Sequence, residues 1–388
     1  MAQKMKISSI TFNSRLLAAS NRPTGFDYMR LILAILVVCS HTINVCYGKL
    51  YTQEIWNSAL RPLLAFILPM FFALSGFLVA GSLERSKSII SFSGLRLIRL
   101  VPAIAVDTAI GALLLGPLFT TLPLNDYLSN PEFHRYFLNI VGDIHYTLPG
   151  VFVDNPWPKS INQQLWTLPF ELICYVSLIA MSFLGITQRR NIFMYVIVFF
   201  NFSILVYFVF FKHALREDVV PGPLLIQSFW YGILMYFFRT KLQWNQSFFL
   251  VALAATIVLL SVPRGDFLLP LPITYVTVYL GLLQPRRTWL ITKGDYSYGI
   301  FLYGFPVQQA VVAVLGKIGH SWYVNLLIAL PLTIILAAFS WWCVEKPAMK
   351  LRKGLFATER FLLEVANRIP GGRFFIPTLD NRVSTQKN

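Results

Sequence analysis

The sequence predicts an all-α integral membrane protein, a bundle of about ten transmembrane helices with both termini cytoplasmic. Three observations predict it. The 388 residues are 56% hydrophobic and only 13% charged, about half the charge of an ordinary soluble domain. Windows of about 19 residues find ten apolar runs, each near the ~20 residues that a bilayer core requires. The 33 Lys and Arg are unevenly placed: 24 fall in segments on the side of the N-terminus, 8 on the opposite side, and Arg30 sits at a span entrance. The positive-inside rule then puts both termini in the cytoplasm. This composition excludes a disordered chain and a disulfide scaffold and argues against a soluble enzyme. The net charge of +16 is read as topology and attraction to lipid headgroups rather than as nucleic-acid binding.

In chain order, residues 1–23 form a polar, basic cytoplasmic segment without the small-residue cleavage site of a signal peptide, so the first span is expected to be retained. Residues 24–351 form the transmembrane domain, with spans near 29–47, 62–82, 100–122, 165–186, 191–211, 222–238, 246–262, 267–283, 296–316 and 322–344. The connections are short except 123–164, which carries Pro149, Pro156, Trp157 and Pro158 and is expected outside the cytoplasm. Residues 352–388 form a basic tail. A stripe of Leu351, Leu355, Phe361, Leu362 and Val365 fits either an amphipathic surface helix or packing on the bundle. The four cysteines, Cys39, Cys46, Cys174 and Cys343, lie in or beside apolar runs with no paired spacing and read as small buried hydrophobes. No metal-ligand cluster is expected. His134, His145, His213 and His320 fall in connections or at span ends.

Arg30, His41, Asp107 and Glu171 are the ionisable groups expected at membrane depth, where burial is costly and function is the default reading. His41 follows Arg30 by eleven residues, about three full helical turns, so both share a face and stand ~16 Å apart along the axis. His41 and Glu171 each lie ~9 Å from the outer end of their spans. At equal depth a carboxylate and an imidazole can pair, which would orient the ring as a base. Arg96 and Arg99, three apart at the start of the third span, project from one face. They read either as topology anchors or as a phosphate clamp, since guanidinium binds phosphate bidentately. Pro102 is expected in the first turn of that span. A packing role remains open for His41 and Glu171, and more so for Asp107.

Six blocks resemble, in order, the signatures of the acyltransferase type 3 family of membrane proteins. Asp27, Tyr28, Met29 and Arg30, ten residues and then His41 resemble the opening Asp-x-x-Arg-x10-His. The run Phe71 to Phe77 resembles FF-x-x-SGF, Arg96 to Pro102 resembles R-x-x-R-x-x-P, and Leu165 to Glu171 resembles LW-[ST]-L-x-x-E. Ser297 to Tyr303 resembles the late SYG block, and Val344 to Pro347 the closing V-E-[RK]-P. Gly304 stands where many members carry a histidine, so no second catalytic histidine is inferred there, and no appended esterase domain is expected.

The resemblance implies an O-acyltransferase of the bacterial inner membrane. Its donor would be an acyl-CoA on the cytoplasmic side, most often acetyl-CoA, with no permanently bound cofactor. Its acceptor would be a saccharide or lipid-linked saccharide, such as an exopolysaccharide or O-antigen. On that reading His41 is the base or transient acyl carrier, Glu171 its orienting partner, and Arg30, Arg96 and Arg99 the donor-phosphate site. Trp157, Trp166 and the run Asn162, Gln163 and Gln164 would face the sugar. Ser75 and Gly76 would allow close approach of a ligand or of another helix. The other function class that fits buried charge and a basic inner face is a transporter or flippase for a lipid-linked sugar or small solute.

Overall fold

The computed structural model describes residues 10–86, 88–210, 220–262 and 265–368. Among the described residues the chain is helical throughout, with no strand. Eleven helices carry the architecture: α1 (Thr24–Trp56), α2 (Ile67–Arg85), α3 (Ile89–Ala109), α4 (Leu168–Phe183), α5 (Arg190–Phe210), α6 (Gly222–Phe237), α7 (Gln246–Ser261), α8 (Pro270–Gly281), α9 (Ser297–Leu315), α10 (Trp322–Ser340) and α11 (Arg352–Arg368). Each of the first ten overlaps one of the ten apolar runs, α3 only in part. Among the described residues, seven segments are long and apolar enough to cross a membrane on their own. The shorter α6, α7 and α8, with 16, 16 and 12 residues, reach ~24, ~24 and ~18 Å against a hydrocarbon core of ~30 Å.

Two helices depart from regular geometry. In α1 the helical path breaks at Gly48, with φ 77° and ψ −171°. A side chain there would come within 2.6 Å of the Pro156 carbonyl oxygen, so conformation and space both require glycine. In α3 the N-terminus is set by Ser88, whose Oγ accepts from the Ser91 amide at 3.2 Å. The helix therefore begins eleven residues before the third apolar run. Pro102 consequently lies inside it rather than in its first turn, and Arg96 and Arg99 sit seven and ten residues in, ~11 and ~15 Å along the axis. Hydropathy misplaced this boundary because the two arginines depress the window average. α3 continues as a π-helical turn over Ile110–Leu115, and α10 as another over Trp341–Glu345.

The chain divides into two compact units. The first comprises Met1–Arg30, Arg61–Gly81 and Arg189–Thr292. Within it α2 and α6 touch backbone to backbone. A Cβ at Gly76 would lie 2.0 Å from the Phe229 carbonyl oxygen, and one at Gly232 would lie 2.2 Å from that of Ala73. Gly76 thus serves close helix packing, the usual use of small residues between membrane helices, and its neighbour Ser75 is half-buried. Arg61 ties α7 to the turn before α8 through Asp266, at 2.5 and 3.1 Å, and the Leu260 carbonyl at 2.7 Å. The N-terminal segment packs on this unit. Its helix Phe12–Ala18 buries Phe12 and Leu16, and Arg15 lies 4.2 Å over the Trp244 ring. Arg30, at the end of this unit's portion of α1, is ion-paired with Asp27 at 2.8 Å.

The second unit comprises Leu31–Leu60, Ser82–Gln188 and Lys293–Asn388. Its long segment between α3 and α4 has its own core, built from Tyr127, Phe133, Tyr136, Leu148, Val151, Phe152 and Ile161. The C-terminal α11 lies against α3: Glu359 accepts from the Ser88 hydroxyl, and Leu355 fills the space over Gly94. Both readings of the tail stripe therefore hold in part, since Leu355 packs while Leu351 and Phe361 stay exposed. Cys46 and Cys174 are buried and Cys39 is half-buried, but Cys343 is exposed, because it lies on the outer side of the π-helical turn. His134 is exposed and His145 half-buried beside Asp143 at 3.3 Å. His320 is half-buried, and His213 lies outside the described residues.

Candidate active site

His41 stands on the regular part of α1, seven residues before the Gly48 break. Its ring meets Phe305 of α9 edge-on at 5.3 Å, and its buried Nδ1 has no hydrogen-bond partner among the described residues. Carboxamides tie the helix that carries it to its neighbours. Gln308 Nε2 donates to the Val38 carbonyl at 2.9 Å and to Thr42 Oγ1 at 2.6 Å, and its own carbonyl accepts from Asn325 of α10 at 3.1 Å. Gln309 Nε2 donates to the carbonyls of Trp157 and Ser160, both at 2.7 Å, and Asn155 donates back to Gln309 Oε1 at 2.8 Å. Gln164 Nε2 reaches the Leu302 carbonyl at 2.5 Å. These bonds lock α1, α9, α10 and the long outer segment together. Gly304 completes the fit, because a side chain there would collide with Val38 at 2.6 Å. Close packing of α9 on α1 leaves no room for a side chain at this position.

The second polar centre gathers on α3 and α4. Arg99 pairs with Asp295 at 2.5 Å, and the other oxygen of Asp295 accepts from Ser297 at the start of α9 at 2.6 Å. Glu171 and Tyr175, one turn apart on α4, are joined by a hydrogen bond of 2.5 Å from the phenol to the carboxylate. Glu171 also interacts electrostatically with Arg96 and Arg99. Glu345, buried in the π-helical turn after α10, accepts from Ser340 at 3.2 Å, and Ser340 accepts from Tyr303 at 2.7 Å. This carboxylate is within electrostatic reach of Arg99. Arg96 differs from its neighbour. Its guanidinium lies over the rings of Phe92 and Tyr175 at 5.4 and 6.0 Å, and its Nε is buried without a hydrogen-bond partner among the described residues.

The expected pairing of Glu171 with His41 is not formed; no hydrogen bond or ion pair joins them among the described residues. Glu171 instead takes the Tyr175 hydroxyl, within electrostatic reach of Arg99 and Arg96. Arg96 and Arg99 are deeper along their helix than a mere mouth position, for the reason given by the start of α3. Asp295, Tyr175, Glu345, Gln308 and Gln309 were missed as site residues. Two of them, Asp295 and Glu345, flanked or lay within quoted sequence blocks and were thus within reach of the motif argument.

The outer segment contributes Asp107, Asn162 and two tryptophans. Asp107 on α3 is buried and accepts from Asn162 Nδ2 at 2.8 Å. Trp157 packs on the cluster of Val45, Cys46, Phe305 and Val312, which commits much of its face to the core. Trp166 is half-buried and edge-on to Phe170 at 5.9 Å. Tyr127 donates to the Ala112 carbonyl at 2.7 Å. Burial pushes the Tyr127 and Tyr136 phenols above their ordinary range, so both stay protonated at neutral pH. No group of three or more His, Cys, Asp or Glu suited to a metal ion occurs among the described residues.

Comparison with known proteins gives a family described as an acyltransferase domain, matching residues 24–345. An O-acetyl transferase of Shigella phage Sf6 is 26% identical over 342 residues, covering 83% of this chain and 94% of that protein. Nodulation protein 10 of Rhizobium leguminosarum bv. viciae is 28% identical over 375 residues, covering 87% of this chain and 96% of that protein. No solved structure matches the chain.

Proposed function

The chain belongs to this membrane acyltransferase family, and from that premise we propose that it moves an acetyl group from the thioester of acetyl-CoA to a hydroxyl of a saccharide, polymeric or lipid-linked. The observation that carries the proposal is His41. It is a half-buried imidazole whose Nδ1 has no hydrogen-bond partner among the described residues, on a helix that Gln308 ties to α9 next to it, at Thr42. It also shares an uninterrupted helix with Arg30, ~16 Å away. The O-acetyl transferase of phage Sf6 supports acetyl as the transferred group.

In this reading the His41 imidazole takes the proton of the acceptor hydroxyl as its oxygen attacks the thioester carbonyl. The carbon–sulfur bond breaks, and the departing CoA thiolate receives the proton, which returns the imidazole to its starting state. Arg96, held flat on two rings with Nε unspent, is the guanidinium best placed to grip a phosphate. Arg99 gives up part of its capacity to Asp295 and stiffens the site, while Glu171 and Tyr175 hold the arginine pair rather than the imidazole. Trp166, half-buried, is the tryptophan for an acceptor sugar to stack on, because Trp157 is committed to the core. Both termini are cytoplasmic in the bacterial inner membrane on this view, so the donor enters from the basic side.

Membranes from a strain lacking this chain, supplemented with the purified protein and [14C]acetyl-CoA, test the proposal. Label should pass to extracted glycan. If the thioester stays intact while a lipid-linked sugar crosses reconstituted vesicles, the protein is a transporter and the proposal fails.

A further inference from the structure

The last helix, α11, has one side on the bundle and two flanks that the bundle leaves uncovered. On the packed side Glu359, 5% exposed, accepts from the Ser88 hydroxyl, and Leu355 fills the space over Gly94. These contacts seat α11 on the first turns of α3, ahead of the third apolar run. Phe361 and Val365, four residues apart and so on one flank, are 63% and 37% exposed. Gly354 lies on the same flank, seven residues before Phe361, and a Cβ there would meet nothing within 4 Å. Leu351, just ahead of the helix, is exposed as well. Lys353 and Arg360, also seven apart, share a second flank, roughly 110° round the helix from the first. Arg352 adds a third exposed cation. These three side chains make no hydrogen bond or ion pair among the described residues.

An apolar flank and a cationic flank on one helix are the two halves of an interfacial, lipid-binding helix. Its place in the chain agrees. From Trp322 at the start of α10, the path to Lys346 is ~36 Å of helix, more than the ~30 Å of the hydrocarbon core. The chain has therefore left the hydrocarbon before α11 begins at Arg352. Between the two helices lie the π-helical turn over Trp341–Glu345, Pro347 and a 3₁₀ turn over Met349–Leu351. Prolines and π-helical turns are where helices change direction. Water would leave the apolar flank unburied, and a zwitterionic lipid would leave the cations without a counter-charge. An anionic lipid satisfies both flanks at once.

We infer that α11 lies in the headgroup layer at the C-terminal end of α10 and binds anionic lipid, with Phe361 and Val365 among the acyl chains and Arg352, Lys353 and Arg360 on the headgroups. The inference is independent of the acyl-transfer reading, because it uses none of the residues placed in that chemistry.

The test is amide hydrogen exchange over residues 352–368, read by mass spectrometry on the purified full chain in nanodiscs. Discs of phosphatidylcholine alone are compared with discs that also contain phosphatidylglycerol. A cation near an anionic surface strengthens attachment about five-fold, so exchange in wild type should slow about ten-fold or more when phosphatidylglycerol is present. Glutamine at all three cations (Arg352→Gln, Lys353→Gln and Arg360→Gln together) keeps helix propensity and should abolish the difference between the discs. Phe361→Gln should speed exchange in both. All four side chains are exposed, so these substitutions leave the packing of the bundle intact. Equally slow exchange of wild type in both discs would mean that α3 alone holds the helix, and equally fast exchange that no lipid holds it; either result overturns the inference. So would protection that appears only as more chains are loaded per disc, since the occupant would then be a second copy.

Discussion

Replacing His41 separates chemistry from folding. In the free protein the imidazole contributes one edge-on contact with Phe305 at 5.3 Å, worth ~0.5–1.5 kcal/mol for an aromatic pair. Its Nδ1 contributes no hydrogen bond to lose. His41→Ala should therefore destabilise the fold by about 1 kcal/mol, and His41→Phe, which keeps a ring against Phe305, by less. Loss of a positioned general base slows a reaction ~10²–10⁴-fold, equivalent to ~2.7–5.5 kcal/mol of transition-state stabilisation. The catalytic loss thus exceeds the folding loss several-fold, and the two are measurable on one sample. Acetyl transfer to glycan, acetyl-CoA binding by calorimetry and thermal melting should be recorded for wild type and both variants. Transfer should vanish, while donor affinity stays within about two-fold, because donor phosphates engage guanidiniums rather than the imidazole. An alanine variant that acylates within a few-fold of wild type would refute the assignment of the base, whatever its stability.

Arg96→Lys and Arg99→Lys each keep the charge and lose the guanidinium fork. The first should weaken acetyl-CoA binding about ten-fold or more by calorimetry, and a smaller effect at Arg99 is expected because Asp295 already holds it; full binding by both lysine variants would reduce the pair to topology anchors. Gln308→Leu removes the bonds to Val38 and Thr42 and should cost about 1–3 kcal/mol of stability, read by denaturation in detergent, with transfer slowed and donor binding retained. Reporter fusions after Gln188 and Arg287 should report cytoplasm and one at Asn155 the opposite side, and a cytoplasmic signal at Asn155 would overturn the assigned orientation.

The apolar runs were legible because span length and hydropathy are local properties, and each run overlaps a helix. The number able to cross alone was not, since α6, α7 and α8 have apolar windows but stop short of a bilayer's thickness. The start of α3 was hidden because its cap, Ser88, and its first turns are polar enough to lower any window that includes Arg96 and Arg99. His41, Arg96, Arg99 and Glu171 stood out through the rarity of charge within apolar sequence. Their partners did not, because the choice of Glu171 between His41 and two arginines depends on how α3 and α4 meet. Gln308 and Gln309 drew no notice at all. An uncharged carboxamide is common in any sequence, and its value here comes from the exposed carbonyls and hydroxyls that other helices bring to it.

The π-helical turn over Ile110–Leu115 accommodates one residue more than an α-helical turn would. Everything downstream is therefore out of phase by roughly 100°, the rotation of a single residue. The strip of α3 that carries Arg96, Arg99 and Asp107 does not continue as the same strip beyond Leu115, and a helical wheel drawn straight through the segment assigns Gly116 to Phe119 to the wrong side. Loss of one residue inside the turn would leave the chain helical and the hydropathy nearly unaltered. It would nonetheless swing the connection to the outer segment around the helix, carrying Tyr127 and Tyr136 with it. The length of this turn, rather than its composition, is what holds the two ends of the third span in register.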